Sequence, residues 1–113
     1  MAKRKKKLTK ASHPSSYYKL SEVTQKINSG QFLIRSNATR EAFQDFGWGI
    51  ADILNAYRML KPNHFCKTDN SKAKPGLVID VYKAHLFGED VYTHFYIDDT
   101  ITKLVINSFH KLV

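Results

Sequence analysis

The segment VYTHFYI, residues 91–97, alternates between two kinds of side chain. Successive residues of a β-strand point to opposite faces of the sheet, so this alternation predicts a strand with two different faces. One face carries the core residues Val91, Thr93, Phe95 and Ile97. The other face carries Tyr92, His94 and Tyr96, and this polar aromatic stripe suits contact with solvent or a ligand.

Two further strands are predicted on either side of this segment, over residues 77–86 and 104–112. Gly and Asp favour the turns expected at 87–90 and 98–100. Consecutive strands with short turns pair antiparallel, so the last third of the chain predicts an antiparallel meander. Regular alternation would give the last strand two faces: Leu104, Ile106, Ser108 and His110 on one, and Val105, Asn107, Phe109 and Lys111 on the other.

The part of the chain before this meander has helical periodicity. Apolar residues three and four apart predict three helices, over residues 21–29, 38–46 and 50–60. Ser21 and Asn37 are the expected N-caps, and Gly30 and Gly47 the expected stops.

The connecting segments complete the predicted layout. The apolar run at 31–34 is either a strand or an extended link. Pro62 suits the start of a helical turn over 62–67, with Phe65 anchoring it to the core, and 68–76 is predicted to be a loop. Helices followed by strands predict an α+β fold, with N-terminal helices packed on one face of an antiparallel sheet formed mainly by the C-terminal meander.

Most of the positive charge lies in the first ten residues. The chain has 18 Lys and Arg against 10 Asp and Glu, and six of the basic residues precede position 11. A run of like charge repels itself, so residues 1–16 are predicted to be a disordered tail and 17–113 a single domain. The tail could solubilise the protein, serve as a nuclear localisation signal, or add non-specific phosphate contacts. Those contacts would come from Lys3, Arg4, Lys5, Lys6 and Lys7.

Several classes of protein are disfavoured by what the sequence lacks. Cys66 is the single cysteine, so an intramolecular disulfide is impossible. The tail is not followed by the apolar segment of a secretory signal, and no apolar run approaches the roughly 20 residues of a membrane span, so we expect a cytoplasmic protein. HExxH and CxxC spacings and glycine-rich phosphate loops are absent, and we therefore expect no metal or cofactor.

The polar aromatic stripe suits single-stranded RNA, because unpaired bases stack on Tyr and His rings. The alternative is that these are ordinary residues of a half-exposed strand. Cleavage of RNA by its own 2′-hydroxyl needs a group that transfers a proton and a cation that stabilises the phosphate. Lys67, Tyr92 and His110 could supply such a site, with His110 as the proton-transfer group. The further candidates for RNA contact are His94, Tyr96, Lys111, Lys72 and Lys74.

The order of several short blocks resembles the MqsR (motility quorum-sensing regulator) toxin family over about residues 17–111. The blocks are Tyr18-Lys19-Leu20-Ser21-x-Val23 with Ile27 and Gly30, Leu60 with Phe65-Cys66-Lys67, Asp80-Val81-Tyr82, Val91-Tyr92, and Val105-Ile106-Asn107-Ser108-Phe109-His110. By position, Lys67 and Tyr92 match a lysine and a tyrosine of the family. His110 stands where the family usually has Lys, although Lys111 could take that role instead. Ile79 replaces the family's Gln, and Thr68-Asp69 replaces its Ser-Met.

The resemblance implies a RelE-like fold and a toxin of a type II toxin–antitoxin system. It also implies metal-independent, sequence-selective cleavage of single-stranded mRNA, which inhibits translation, and neutralisation by a zinc-containing, helix-turn-helix antitoxin that binds DNA. Two alternatives stay open. One is a non-catalytic nucleic-acid-binding module with the same fold, and the other is a protein-interaction domain.

Overall fold

The computed structural model describes residues 16–72 and 74–112. Within these ranges, three helices pack against a five-stranded sheet, which confirms the predicted α+β class. The helices are α1, Leu20–Asn28; α2, Ser36–Phe46; and α3, Ile50–Arg58. The strands are β1, Phe32–Ile34; β2, Phe65–Asn70; β3, Val78–Leu86; β4, Glu89–Asp98; and β5, Lys103–Lys111. Apart from Ser16, the predicted tail over residues 1–16 lies outside the described residues.

The sheet has the strand order β1-β5-β4-β3-β2. β3, β4 and β5 pair antiparallel in sequence, which confirms the predicted meander. The β3–β4 hairpin turns at Phe87 and Gly88, whose φ angles of 51° and 81° suit the mirror-image turn that matches strand twist. Residues 31–34, predicted to be a strand or an extended link, contribute β1, which pairs parallel with β5.

The core forms between the helices and the face of β4 predicted from alternation. Val91, Thr93, Phe95 and Ile97 are all buried. The apolar stripes of the helices pack in the same cluster, through residues such as Val23, Ile27, Ile53 and Tyr57. None of the helices formed by the described residues has the length and hydropathy needed to cross a lipid bilayer.

The helices lie within two residues of their predicted bounds, but their N-caps differ. Lys19 and Arg35 occupy the N-cap positions of α1 and α2, and neither side chain makes a capping hydrogen bond. Ser21 and Asn37 lie inside the first turns instead. The side-chain amide of Asn37 donates to the carbonyl of Asn107 at 3.0 Å. The side chain that we expected to cap α2 therefore makes a tertiary contact with β5 instead. Gly47 does end α2, in the left-handed conformation with φ 74°.

The prediction for residues 62–76 was partly wrong. The helical turn covers only Pro62–His64, and the chain then forms β2, which pairs antiparallel with β3 at the edge of the sheet. Residues 68–70, predicted to be loop, belong to this strand. Its sequence FCKTDN lacks the apolar alternation of a half-buried strand, because four of its six residues are exposed. Phe65 does anchor the segment, at 5.7 Å between its ring centroid and that of Tyr82.

The predicted regular alternation of the last strand was also wrong. His94 pairs with Ser108 but the next residue, Phe95, pairs with Ile106, so Asn107 is an extra residue in β5. Such a bulge reverses the side-chain alternation beyond it. As a result Ser108 and His110 share a face with Val105, whereas Phe109 and Lys111 share the opposite face with Leu104 and Ile106.

Candidate active site

The face of the sheet opposite the helix-packed core carries most of the predicted site; we call it the outer face. Residues directly opposite each other on paired strands share a face. One row across the outer face runs Lys67, Val81, His94 and Ser108, from β2 to β5. The next row runs Lys83, Tyr92 and His110. The three predicted catalytic residues, Lys67, Tyr92 and His110, therefore lie in two adjacent rows of one surface.

Tyr92 lies between two imidazoles. Its ring stacks on that of His110, with a centroid distance of 4.7 Å and an interplanar angle of 19°. It also meets the edge of His94, at 5.8 Å and 86°. Pairing of Tyr92 with His110 across β4 and β5 creates the stack, and the bulge at Asn107 is what brings His110 to this register. A group for proton transfer and a phenol are thus fixed side by side.

The hydrogen bond of His110 determines which nitrogen is free. Its Nδ1 lies 2.9 Å from the carbonyl oxygen of Lys111. A carbonyl oxygen only accepts, so Nδ1 must carry the proton and donate it to this bond. In the neutral ring Nε2 is then unprotonated and can accept a proton from a bound molecule.

His94 has the opposite arrangement. Its Nδ1 lies 3.1 Å from the amide nitrogen of Asn107, which donates, so the proton of the neutral ring lies on Nε2. Burial lowers the pKa of His94, and the nearby His110 lowers it further, while Glu41 and Asp69 act in the opposite direction. His94 is therefore held as a neutral ring beside the Tyr92–His110 stack.

Lys67 supplies positive charge at the edge of the outer face. Its ammonium group lies 3.2 Å from the carboxylate of Asp69, and 57% of its side chain is exposed. The hydrogen bond to Asp69 raises the pKa of Lys67, and Tyr92 acts weakly in the same direction. Because the pair is exposed, it contributes little stability, and an incoming phosphate can compete with Asp69 for the lysine.

A chain of buried hydrogen bonds lies on the core side of the sheet, opposite the outer face. Thr93 Oγ1 donates to the carbonyl of Ser108 at 2.6 Å, so it must accept from the Tyr57 hydroxyl, also at 2.6 Å. Burial raises the pKa of Tyr57, so the hydroxyl keeps its proton. The chain ties α3 to β4 and to β5 beside the bulge. Ser108 in turn donates from its hydroxyl to Glu41 of α2 at 3.2 Å.

The remaining predicted contact residues are spread more widely. Tyr96 lies in β4, just beyond the register shift opposite the bulge, and is only 5% exposed, so it presents little of its ring. Lys111 pairs with Val91 on the opposite face, and its backbone N–H donates to Asp45. Lys72 is exposed in the loop after β2, and Lys74 lines a cleft at the outer face. Lys3, Arg4, Lys5, Lys6 and Lys7 lie outside the described residues.

This cleft lies beside His94 and has a volume of about 320 Å³. Its lining comes from the loop after β2, the outer face and the start of α2: Arg35, Ser71, Lys74, Leu77, Ile79, Tyr96 and Asn107. Arg35 and Asn107 were not predicted from the sequence, and neither were Lys83, which pairs with Tyr92, and Glu41, which accepts a hydrogen bond from Ser108. Alternation along β3 could have identified Lys83 as a residue of the outer face. The positions of Arg35, Glu41 and Asn107 depend on where α2 packs and on the bulge, and neither has a local sequence pattern that predicts it.

The lowered pKa of His94 predicts a pH-dependent stability. Its pKa in the unfolded chain is about 6.5, higher than in the folded protein, so the unfolded state binds the proton more tightly. The neutral ring therefore makes its full contribution to the free energy of unfolding above about pH 6.5. This contribution is lost as the pH falls through the folded-state pKa. We expect the unfolding free energy of the wild type to fall more between about pH 7.5 and 5 than that of His94→Gln. Urea denaturation at a series of pH values measures this, and parallel curves for the two proteins would contradict it.

Comparison with known proteins places the chain in a family. Residues 15–111 match the model for the motility quorum-sensing regulator, toxin of MqsA. The match covers most of the chain and every helix and strand from α1 to β5. A comparison with individual curated proteins gives no match. The α+β fold agrees with the RelE-like fold that the resemblance predicted. The chain therefore belongs to the MqsR toxin family and is the toxin of a toxin–antitoxin pair, with an antitoxin as its partner.

Proposed function

We propose that this toxin is an endoribonuclease that cuts single-stranded mRNA in the cytoplasm without a metal and so inhibits translation. The observation that carries the proposal is the Tyr92–His110 stack, because it fixes a proton-transfer group on the same sheet face as Lys67. Membership of a toxin family supports the proposal. The antitoxin partner is proposed to be a zinc-containing, helix-turn-helix protein that binds DNA.

The proposed reaction needs only groups of the chain, the RNA and water. His110 Nε2 takes the proton of the 2′-hydroxyl, whose oxygen then attacks the adjacent phosphorus. The bond from phosphorus to the 5′-oxygen breaks, that oxygen takes a proton from water, and His110 afterwards returns its proton to water. Lys67 leaves Asp69 to stabilise the charge on the phosphate, and Tyr92 holds the phosphate or a base. His94 and Lys72 are proposed as secondary RNA contacts.

One feature favours a second candidate, a nucleic-acid-binding module that does not cleave. Ile79 pairs with Asp69 on the outer face, where the family resemblance leads us to expect Gln. An apolar side chain cannot make the hydrogen bonds of an amide. Binding without cleavage would then use the same face.

The first experiment distinguishes these two candidates. Purified protein is incubated with a long RNA in EDTA, and the product ends are mapped. We expect cleavage with a 2′,3′-cyclic or 3′ phosphate on one product and a 5′-hydroxyl on the other. Loss of all activity in EDTA, with recovery on addition of Mg²⁺, would contradict the mechanism. Binding with no cleavage under any condition would favour the second candidate.

The basic tail is proposed to contribute affinity and not chemistry. Deleting residues 1–14 removes six basic residues and leaves the Ser16–Tyr18 hydrogen bond in place. We expect weaker RNA binding with a flatter salt dependence, by about 0.7 in the log–log slope for each phosphate that the shortened chain no longer neutralises. The single-turnover rate at saturating RNA should change little. A large fall in that rate would show that the tail belongs to the active site.

A further inference from the structure

The cleft beside His94 combines features that suit a nucleobase and its phosphate. Leu77 and Ile79 give it apolar walls, and the mostly buried Tyr96 contributes a small part of the lining. Arg35 and Lys74 are exposed and bring positive charge to the same opening. Ser71 and Asn107 add polar groups that can hydrogen-bond to the edge of a base.

We propose that this cleft binds one unpaired base of the RNA next to the scissile phosphate and so sets the base preference of cleavage. This inference rests on the proposed function, since it assigns a substrate subsite to the same sheet face. The volume of about 320 Å³ lies at the low end of the range for ligand sites, about 300–1,000 Å³, so the cleft suits a single nucleotide. Arg35 and Lys74 would hold the phosphate that follows the bound base.

Asn107 connects the cleft to the active site. It is the extra residue of the β5 bulge, it lines the cleft, and its amide donates to His94 Nδ1. A base in the cleft would therefore lie one side chain away from His94 and, through it, beside the Tyr92–His110 stack. A continuous strand of RNA can then occupy both places with adjacent nucleotides.

Ile79 would form an apolar wall of the base-binding cleft. On the outer face an apolar side chain makes the cleft wall suitable for the flat surface of a base, whereas an amide would favour polar contact there. The side chain is partly buried and packs against the core at its base. The residue that departs from the family pattern is thereby proposed to shape specificity and not to abolish activity.

The test uses the full chain and short single-stranded oligonucleotides. Each oligonucleotide lacks the 2′-hydroxyl at the mapped cleavage position, so that binding is measured without reaction, and an abasic nucleotide is placed at each neighbouring position in turn. If no cleavage position is found, the same abasic scan is run along an ordinary oligoribonucleotide. We expect one abasic position to weaken wild-type binding about 5- to 100-fold, as loss of a stacked base does.

Two variants of the cleft, each with a matched control, locate that effect. Ile79→Trp should fill the cleft and reduce the abasic penalty to less than about twofold, whereas Ile101→Trp, in an exposed turn outside the cleft lining, should keep it. Lys74→Ala should weaken binding of every oligonucleotide, and Lys26→Ala, on the helix layer, should not. If circular dichroism shows that Ile79→Trp is unfolded, Ile79→Gln is used instead. We then expect an altered base preference at the position where the abasic nucleotide weakens binding.

The proposal is overturned if no abasic position weakens binding more than about twofold, or if the Ile79 variants keep both the wild-type penalty and the wild-type base preference. Either result can occur while cleavage in EDTA persists, so failure of this subsite is distinguishable from failure of the proposed function.

Discussion

His110→Ala and Lys67→Ala should each lower the single-turnover cleavage rate by about 10²–10⁴-fold while leaving the fold intact. A positioned acid–base residue typically contributes this much, and a cation that stabilises transition-state charge contributes a similar factor. Both side chains are at least partly accessible on the outer face, so their removal leaves no cavity in the core. The rate is measured with saturating protein and a short RNA containing one mapped site, and the fold is checked by circular dichroism and thermal unfolding.

Two further variants separate the competing assignments. His110→Lys should retain partial activity if this position does the work of the family's lysine. Lys111→Ala should have a small effect, because the register places Lys111 opposite Val91 on the other face of the sheet. Loss of cleavage in Lys111→Ala together with full activity in His110→Ala would show that the proton-transfer role belongs to Lys111. If none of these substitutions slows an observed cleavage reaction, the assignment of the site is wrong.

The meander and its two faces could be predicted because their causes are local. The period-2 pattern of residues 91–97 specified which side chains of β4 face the core, and the structure confirms all four. Consecutive antiparallel strands specified that Tyr92 should lie near His110, whereas the register that stacks the two rings comes from the bulge at Asn107. In both cases the information lies within about 20 residues of sequence, and no distant part of the chain is needed to interpret it.

The rest of the site depends on contacts between segments that are distant in sequence. β2 could not be identified because an edge strand with two exposed faces needs no apolar alternation. The bulge at Asn107 was missed because it is visible only in the pairing of β5 with β4, and its contact with Asn37 comes from α2, which is distant in sequence. The cleft combines Arg35, the loop after β2 and β5, and nothing in any one segment indicates that the three meet.

Asp80→Ala should lower the free energy of unfolding by about 2–4 kcal/mol, because a buried carboxylate that accepts several hydrogen bonds leaves its donors without a partner when it is removed. Asp80 is fully buried, and its oxygens accept from the backbone N–H of Tyr17 at 3.1 Å and of Tyr18 at 2.8 Å. They also accept from the Thr68 hydroxyl at 2.6 Å. The expected loss is a large part of the roughly 5–15 kcal/mol that stabilises a domain. Urea denaturation measures it.

Asp90→Ala is the matched control, since Asp90 is an exposed aspartate on the neighbouring strand that pairs with His85 at 2.7 Å. An exposed contact of this kind contributes about 0–1 kcal/mol even when both groups are charged, so this variant should unfold at nearly the wild-type urea concentration. Equal effects of the two substitutions would show that the buried hydrogen bonds of Asp80 add nothing to the free energy of unfolding.

The carboxylate of Asp80 also fixes Thr68, the neighbour of Lys67 on β2, to β3. Asp80→Asn, examined at a temperature where it remains folded, should therefore cleave more slowly than the wild type, because the edge strand that carries Lys67 is no longer held by a charged anchor. An unchanged rate in a folded Asp80→Asn would show that the pairing of β2 with β3 alone positions the lysine.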